Sequence, residues 1–233
     1  MFVKSHSKTI PLLVTGSLLF GAAQLAVADG DDHEEEHFDI AVWNDGGNLV
    51  TGGWDHDTEE LEVANLRVFE ATMGEDPLFP FATDEPGIGG VASDLGLMVG
   101  STLTFNIFSG LGTWNGSGFD YGTGAAMTID YGPTSVSTLT GGNLDFLVTE
   151  DYDLHPIWSL ADTTPNGAYL MEITADMAGF STTESFYVVF NLGLDEEDYE
   201  ASVEWVEANL VPAPGALALL GLFGATACRR RQR

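Results

Sequence analysis

Between residues 38 and 191 the apolar positions fall into short runs of β-branched, aromatic and aliphatic residues, separated by Gly, Asn, Asp and Pro. The runs cover residues 38–44, 48–54, 61–71, 102–108, 126–131, 144–149, 157–160, 168–175 and 185–191. Several alternate in polarity. In TLTFNIF (102–108), Leu103, Phe105 and Ile107 share one face, with Thr104 and Asn106 opposite, the period-two pattern of a half-buried strand. SFYVVFN (185–191) is apolar almost throughout and predicts a central strand packed on both faces. NDGG at 44–47, NGSG at 115–118 and PNG at 165–167 supply turn residues between runs. This spacing predicts an all-β fold, with a β-sandwich or jelly-roll-like body over residues 38–210. The 28 glycines mark turns and follow no fixed period, so no repeat array is expected.

One stretch has a different period. In LDEEDYEASVEWVEANL, Tyr199, Val203, Val206 and Leu210 recur at helical spacing. Asp195 stands in the N-cap position, acids fill the first turn, and Asp198 supplies a carboxylate where a capping box has one. A single amphipathic helix is expected over residues 195–210, packed on the strands.

The two ends read as addresses. Lys4 and Lys8 precede a mostly apolar stretch from Ile10 to Ala23, and Ala26-Val27-Ala28 forms a small-x-small cleavage site. This three-part order is that of a secretory signal peptide over residues 1–28, with the mature chain starting at Asp29. At the other end, Val211-Pro212-Ala213-Pro214 is too rich in proline for helix. An apolar run follows from Gly215 to Cys228, expected to form a C-terminal hydrophobic helix, and then Arg229, Arg230, Arg231 and Arg233. Roughly fourteen residues at about 1.5 Å each reach about 21 Å, short of a bilayer core of about 30 Å. The arginines hold that end on the cytoplasmic side.

Proline motif, short hydrophobic helix and arginine cluster, together with the signal peptide, make the tail at 211–233 similar to a PEP-CTERM sorting signal. Pro212 and Pro214 match its two prolines, and Ala213 stands where the name-giving glutamate would be. The resemblance implies a bacterium with an outer membrane, export across the inner membrane and release by signal peptidase. It further implies a transient hold in that membrane by the tail, cleavage near the prolines by an exosortase-like enzyme, and a destination on the cell surface or in a polysaccharide-rich extracellular matrix.

Charge narrows the partners. The chain carries 36 Asp and Glu against 7 Lys and Arg, a net charge of −29. Such a surface repels phosphate backbones, which argues against nucleic acid as a partner. The one cysteine, Cys228, lies in the tail, so the body has no disulfide or thiol chemistry.

Three polar clusters are candidates for metal chemistry. WDHDTEE (54–60) spaces Asp55, Asp57 and Glu59 as alternate oxygen donors, a pattern suited to Ca²⁺ although it lacks the twelve-position EF-hand loop. DDHEEEH (31–37) places His33 and His37 four apart within an acidic leader at 29–37. EDYDLHP (150–156) holds Asp151, Asp153 and His155 at no recognisable ligand spacing. Nucleophile elbow, P-loop, zinc-protease and dinucleotide motifs are all missing from the sequence. The expectation is a non-enzymatic surface or matrix module associated with extracellular polysaccharide. Two alternatives remain open: a carbohydrate-active hydrolase or lyase using an Asp/Glu pair on a jelly-roll scaffold, and a calcium-binding adhesion module.

Overall fold

NDGG closes a tight hairpin, because Gly46 and Gly47 take φ of 61° and 99°, both in the left-handed region that a two-residue hairpin turn demands. This is the first turn of a computed structural model that describes residues 38–211. In chain order the described strands are β1 (Asp39–Asp45), β2 (Asn48–Asp55), β3 (Glu60–Ala64), β4 (Val68–Thr72), β5 (Ala82–Thr83), β6 (Ile88–Val91), β7 (Thr102–Ile107) and β8 (Gly112–Trp114). They continue as β9 (Phe119–Asp120), β10 (Met127–Tyr131), β11 (Thr134–Ser137), β12 (Gly142–Leu147), β13 (Asp151–Leu154), β14 (Ile157–Leu160), β15 (Gly167–Met177) and β16 (Phe186–Leu192). One helix follows, α1 (Glu196–Asn209). The described chain is thus all-β with a single helix.

The largest sheet runs β12-β7-β15-β16-β4, with the β8–β9 hairpin attached to β15. Its strands are antiparallel except for the parallel β16–β4 pair. Three smaller sheets run β1-β2-β3, β11-β10-β14-β5 and β13-β6. β16 is buried on both faces, as its nearly unbroken apolar sequence requires, while β15 is buried through its first half and alternates beyond it, with Glu172, Thr174 and Asp176 half-buried. On one face, Tyr169, Met171, Ile173, Phe186, Val188 and Phe190 join a core that draws on all the sheets. Its centre is aromatic: Phe105 meets Phe146 and Phe186 edge-on at centroid distances of 5.2 and 5.5 Å, and Trp158 tilts against Phe190 at 5.5 Å. On the other face, Ala168, Leu170, Tyr187 and Val189 pack against Tyr199, Val203 and Val206 of α1.

The helix begins where the sequence places it. The Asp195 side chain accepts the N–H of Asp198, and three acids occupy the first turn. Tyr199 ties the helix to the sheet, donating its hydroxyl hydrogen to the Val189 carbonyl at 2.8 Å and accepting the Ala71 N–H at 3.2 Å. Trp114, Phe119 and Trp205 close the far end of this layer. Among the described residues no helix is long and apolar enough to cross a membrane. The stretches expected to form the signal peptide, the acidic leader to His37 and the hydrophobic helix of the tail from Pro212 lie outside the described residues.

One expected strand, residues 61–71, is two. Asn65 takes a φ of 64°, which asparagine tolerates better than most residues, and the turn there sends β3 and β4 into different sheets. The short strands β5, β6, β8, β9, β11 and β13 were not expected. Two of them, β6 and β13, pair with each other and build the site described next.

Candidate metal centre

Asp39 opens β1 beneath the protein surface, 2% exposed. A carboxylate fits there because Gly87, just before β6, and Gly89 within it carry no side chains. A Cβ on Gly87 would lie 2.6 Å from Asp39 Oδ1 and 2.8 Å from His155 Cε1. One on Gly89 would lie 2.7 Å from Trp54 Cδ1 and 3.1 Å from Asp39 Oδ2. Both glycines are needed for room rather than for turn geometry. The backbone also holds the carboxylate: Gly87 N–H donates to Asp39 Oδ1 at 2.8 Å, while Ile40 N–H donates to the Gly87 carbonyl at 2.9 Å. Close by, the Trp158 indole N–H donates to the Pro86 carbonyl, pinning the turn that carries Glu85.

His56 arrives from the turn after β2. Asp55 Oδ1 shapes that turn by accepting the N–H groups of Asp57 at 2.7 Å and Thr58 at 3.4 Å. The same bonds hold the Asp55 carboxyl below its usual pKa, led by the Asp57 N–H and opposed by desolvation. His56 Nε2 makes a close hydrogen bond with Asp39 Oδ2 and lies 3.4 Å from Asp153 Oδ1. The remaining two residues come from β13 and its exit. Asp153 pairs across the ladder with Gly89, and His155, two residues on, places Nε2 2.6 Å from Asp153 Oδ1. His155 Nδ1 lies 3.2 Å from the Asp84 carbonyl oxygen, which can only accept, so Nδ1 carries the hydrogen and Nε2 faces the cluster. The two imidazoles stack at 24° with centroids 6.2 Å apart.

One donor atom from each of Asp39, His56, Asp153 and His155 thus falls within 4.8 Å of the others. Burial decreases outward across the cluster. The Asp39 side chain is 3% exposed, while those of His56 and Asp153 are 43% and 56% exposed. Glu85 flanks it, with Oε2 accepting the Gly87 N–H at 3.0 Å and Oε1 3.6 Å from His155 Nδ1. Burial raises the Glu85 pKa, and the Asp39 charge raises it further, against the pull of the Gly87 N–H and of His155. For His155, burial works against the charged form. The Asp84 carbonyl and the charges of Asp39, Glu85 and Asp153 outweigh it and raise the pKa.

The electrostatics favour a cation. Arg67, the one Lys or Arg among the described residues, is bound elsewhere, to Glu184 at 2.6 Å and to the Ser185 carbonyl. Among the described residues, the positive charge available to face Asp39, Asp153 and Glu85 is that of the imidazoles, and a bound ion would add to it. Two imidazole nitrogens and two carboxylate oxygens are a donor set that divalent metals accept.

Asp55, Asp57 and Glu59 are not in this cluster; the histidine between the first two is. Asp151 also stays outside it, whereas Asp153 and His155 of the same stretch belong to it. His33, His37, Ala26, Ala28, Pro212, Pro214, Arg229, Arg230 and Arg231 lie outside the described residues. Sequence reasoning missed Asp39 and His56, which sit within an ordinary strand start and an acidic turn. The Asp-x-His spacing of Asp153 and His155, which puts both side chains on one face of a strand, was the available signal. Comparison with known proteins returned no match, either to a protein-family model or to a curated sequence.

Proposed function

We propose that the chain is an exported cell-surface or extracellular-matrix protein whose body, of β-sandwich or jelly-roll type, is a non-enzymatic module that holds a divalent cation. The observation that carries this reading is the convergence of Asp39, His56, Asp153 and His155, with Asp39 buried and fixed from behind by Gly87. Among the described residues the one Lys or Arg, Arg67, is bound elsewhere, and a buried carboxylate is expensive unless hydrogen-bond donors or a cation meet it. Export is supported by the signal-peptide pattern at 1–28 and by the PEP-CTERM-like tail at 211–233, which Ala213 leaves short of the full motif. Signal peptidase and an exosortase-like enzyme are the processing partners in this reading, and an extracellular polysaccharide matrix is the setting. For a body this acidic, bound cations also lower the repulsion between the protein and an anionic matrix.

Two measurements test the two halves. The metal half predicts that the chelator-stripped full chain takes up one divalent ion per chain in equilibrium dialysis against a panel that includes zinc and calcium. Uptake of none of them contradicts it. The export half predicts, by intact mass of the protein released from its native host, a start near Asp29 and an end near Pro212 to Pro214. A released species still carrying Arg229 to Arg233 contradicts the cleavage.

A further inference from the structure

Resting on that metal reading, the geometry points to a zinc-like first-row divalent ion that cross-links the β1–β2 hairpin to the β6–β13 pair. Calcium takes six to eight oxygens in a loose shell, whereas this cluster offers four donors, two of them imidazole nitrogens. Imidazole suits zinc, copper and nickel. Zinc held by four protein donors is the closed arrangement of structural sites, with no position kept open for a substrate. Donors of a tetrahedral centre with bonds of about 2.0 Å stand about 3.3 Å apart. The present spacings straddle that value, with His155 to Asp153 at 2.6 Å, His56 to Asp153 at 3.4 Å and all four inside 4.8 Å. Small side-chain movements close the set around one ion.

The outer contacts are those a metal ligand needs. The Asp84 carbonyl fixes the His155 ring with Nε2 toward the cluster, and the Gly87 N–H binds Asp39 Oδ1, leaving Oδ2 as the oxygen that meets His56. The ligands also come from distant parts of the chain. Asp39 and His56 flank the β1–β2 hairpin in one sheet, while Asp153 and His155 end β13 in another. The chain holds one cysteine, Cys228 in the tail, so the described body has no disulfide to make such a link. An ion bound only by the folded state does what a long-range disulfide does elsewhere, favouring the native form over the open chain.

The test uses the purified full chain stripped with a chelator, titrated with zinc chloride or calcium chloride at matched ionic strength and followed by calorimetry and thermal unfolding. Zinc is expected to bind and raise the Tm, and calcium at the same concentration to leave it where sodium chloride does. Cobalt(II) is expected to give the intense visible bands of a tetrahedral site. His56→Gln, on a half-exposed turn, should weaken zinc binding by more than about 100-fold, beyond the cost of losing an outer-shell partner, and should erase the Tm rise. Its stripped form should melt below the stripped parent, because Asp39 loses its close hydrogen bond with His56, so the zinc-induced rise is read against each variant's own stripped form. Asp153→Asn, which loses its contacts with both imidazoles, should likewise show no rise. The leader variant His33→Ala/His37→Ala should keep both zinc and the Tm rise. If no divalent ion binds, the metal reading itself fails and the cross-link fails with it. If calcium binds through these residues and zinc does not, the ion class is overturned while the metal reading stands. Zinc binding that leaves the Tm unchanged, or that disappears only in the leader variant, overturns the cross-link.

Discussion

Gly87 and Gly89 matter for what they lack. Each leaves the volume that Asp39 and its neighbours fill, and neither sits in the left-handed region. Gly87→Ala should therefore cost about 1–3 kcal/mol of stability, the usual penalty for overpacking, and should weaken ion uptake together with it. Urea unfolding of the stripped and loaded protein checks both effects; a neutral Gly87→Ala contradicts the packing argument. At the same scale, burial raises the pKa of Tyr169 and Tyr187 above 10.0, and the Glu172 charge raises that of Tyr187 further. A raised pKa of this kind leaves stability intact below the unfolded value and removes it as pH climbs past 10.0 toward the folded value. Denaturation midpoints followed across that window are expected to fall with rising pH. Residue types alone could not disclose the site. Asp153 and His155 are visible as a polar pair, but their partners sit more than ninety positions earlier in the chain, and it takes the pairing of β6 with β13 and the backbone tie from β1 to Gly87 to bring them together.

Elements with a strong period were the legible ones. β1, β2, β7, β10, β14, β15 and β16 lie where apolar runs predicted them, and α1 starts at its capping residue. The strands that escaped are short or glycine-rich: IGGV of β6 has no alternation to read, and DYDL of β13 is four residues inside an acidic stretch. Such strands are specified by their neighbours rather than by their own pattern. The helix supplies the sharpest element-scale test. Val206 is fully buried between α1 and the face of β15 and β16, so Val206→Asp places an unpaired charge there and should cost several kcal/mol. Asp195→Ala removes only the cap and should cost about 1 kcal/mol. Thermal unfolding that ranks the two the other way contradicts the packing of α1 on the sheet.

For the whole molecule, charge is the dominant feature. A net −29, with one arginine in the described body, means that exposed carboxylates repel across distances comparable to the Debye length of about 8 Å. Stability should rise with sodium chloride, the opposite of a fold held by surface ion pairs, and a Tm that falls with added salt contradicts this. Sequence composition already disclosed this acidity, and the two ends suggested the export route. It could not disclose that part of the charge is gathered beside two imidazoles, because that depends on strands meeting in three dimensions. A specific ion acts in addition to screening, since binding only to the native state stabilises it by roughly 2.7 kcal/mol at a hundredfold excess over the Kd.

The central claim, a divalent ion at the meeting point of β1, the β2–β3 turn and the β13 exit, is tested most directly by a crystal structure of the zinc-loaded chain with anomalous diffraction at the zinc edge. The account predicts one strong peak bonded to Asp39 Oδ2, His56 Nε2, Asp153 Oδ1 and His155 Nε2 at about 2.0–2.2 Å. A peak among Asp55, Asp57 and Glu59 instead, or a cluster whose four side chains bond only to one another in loaded crystals, contradicts it.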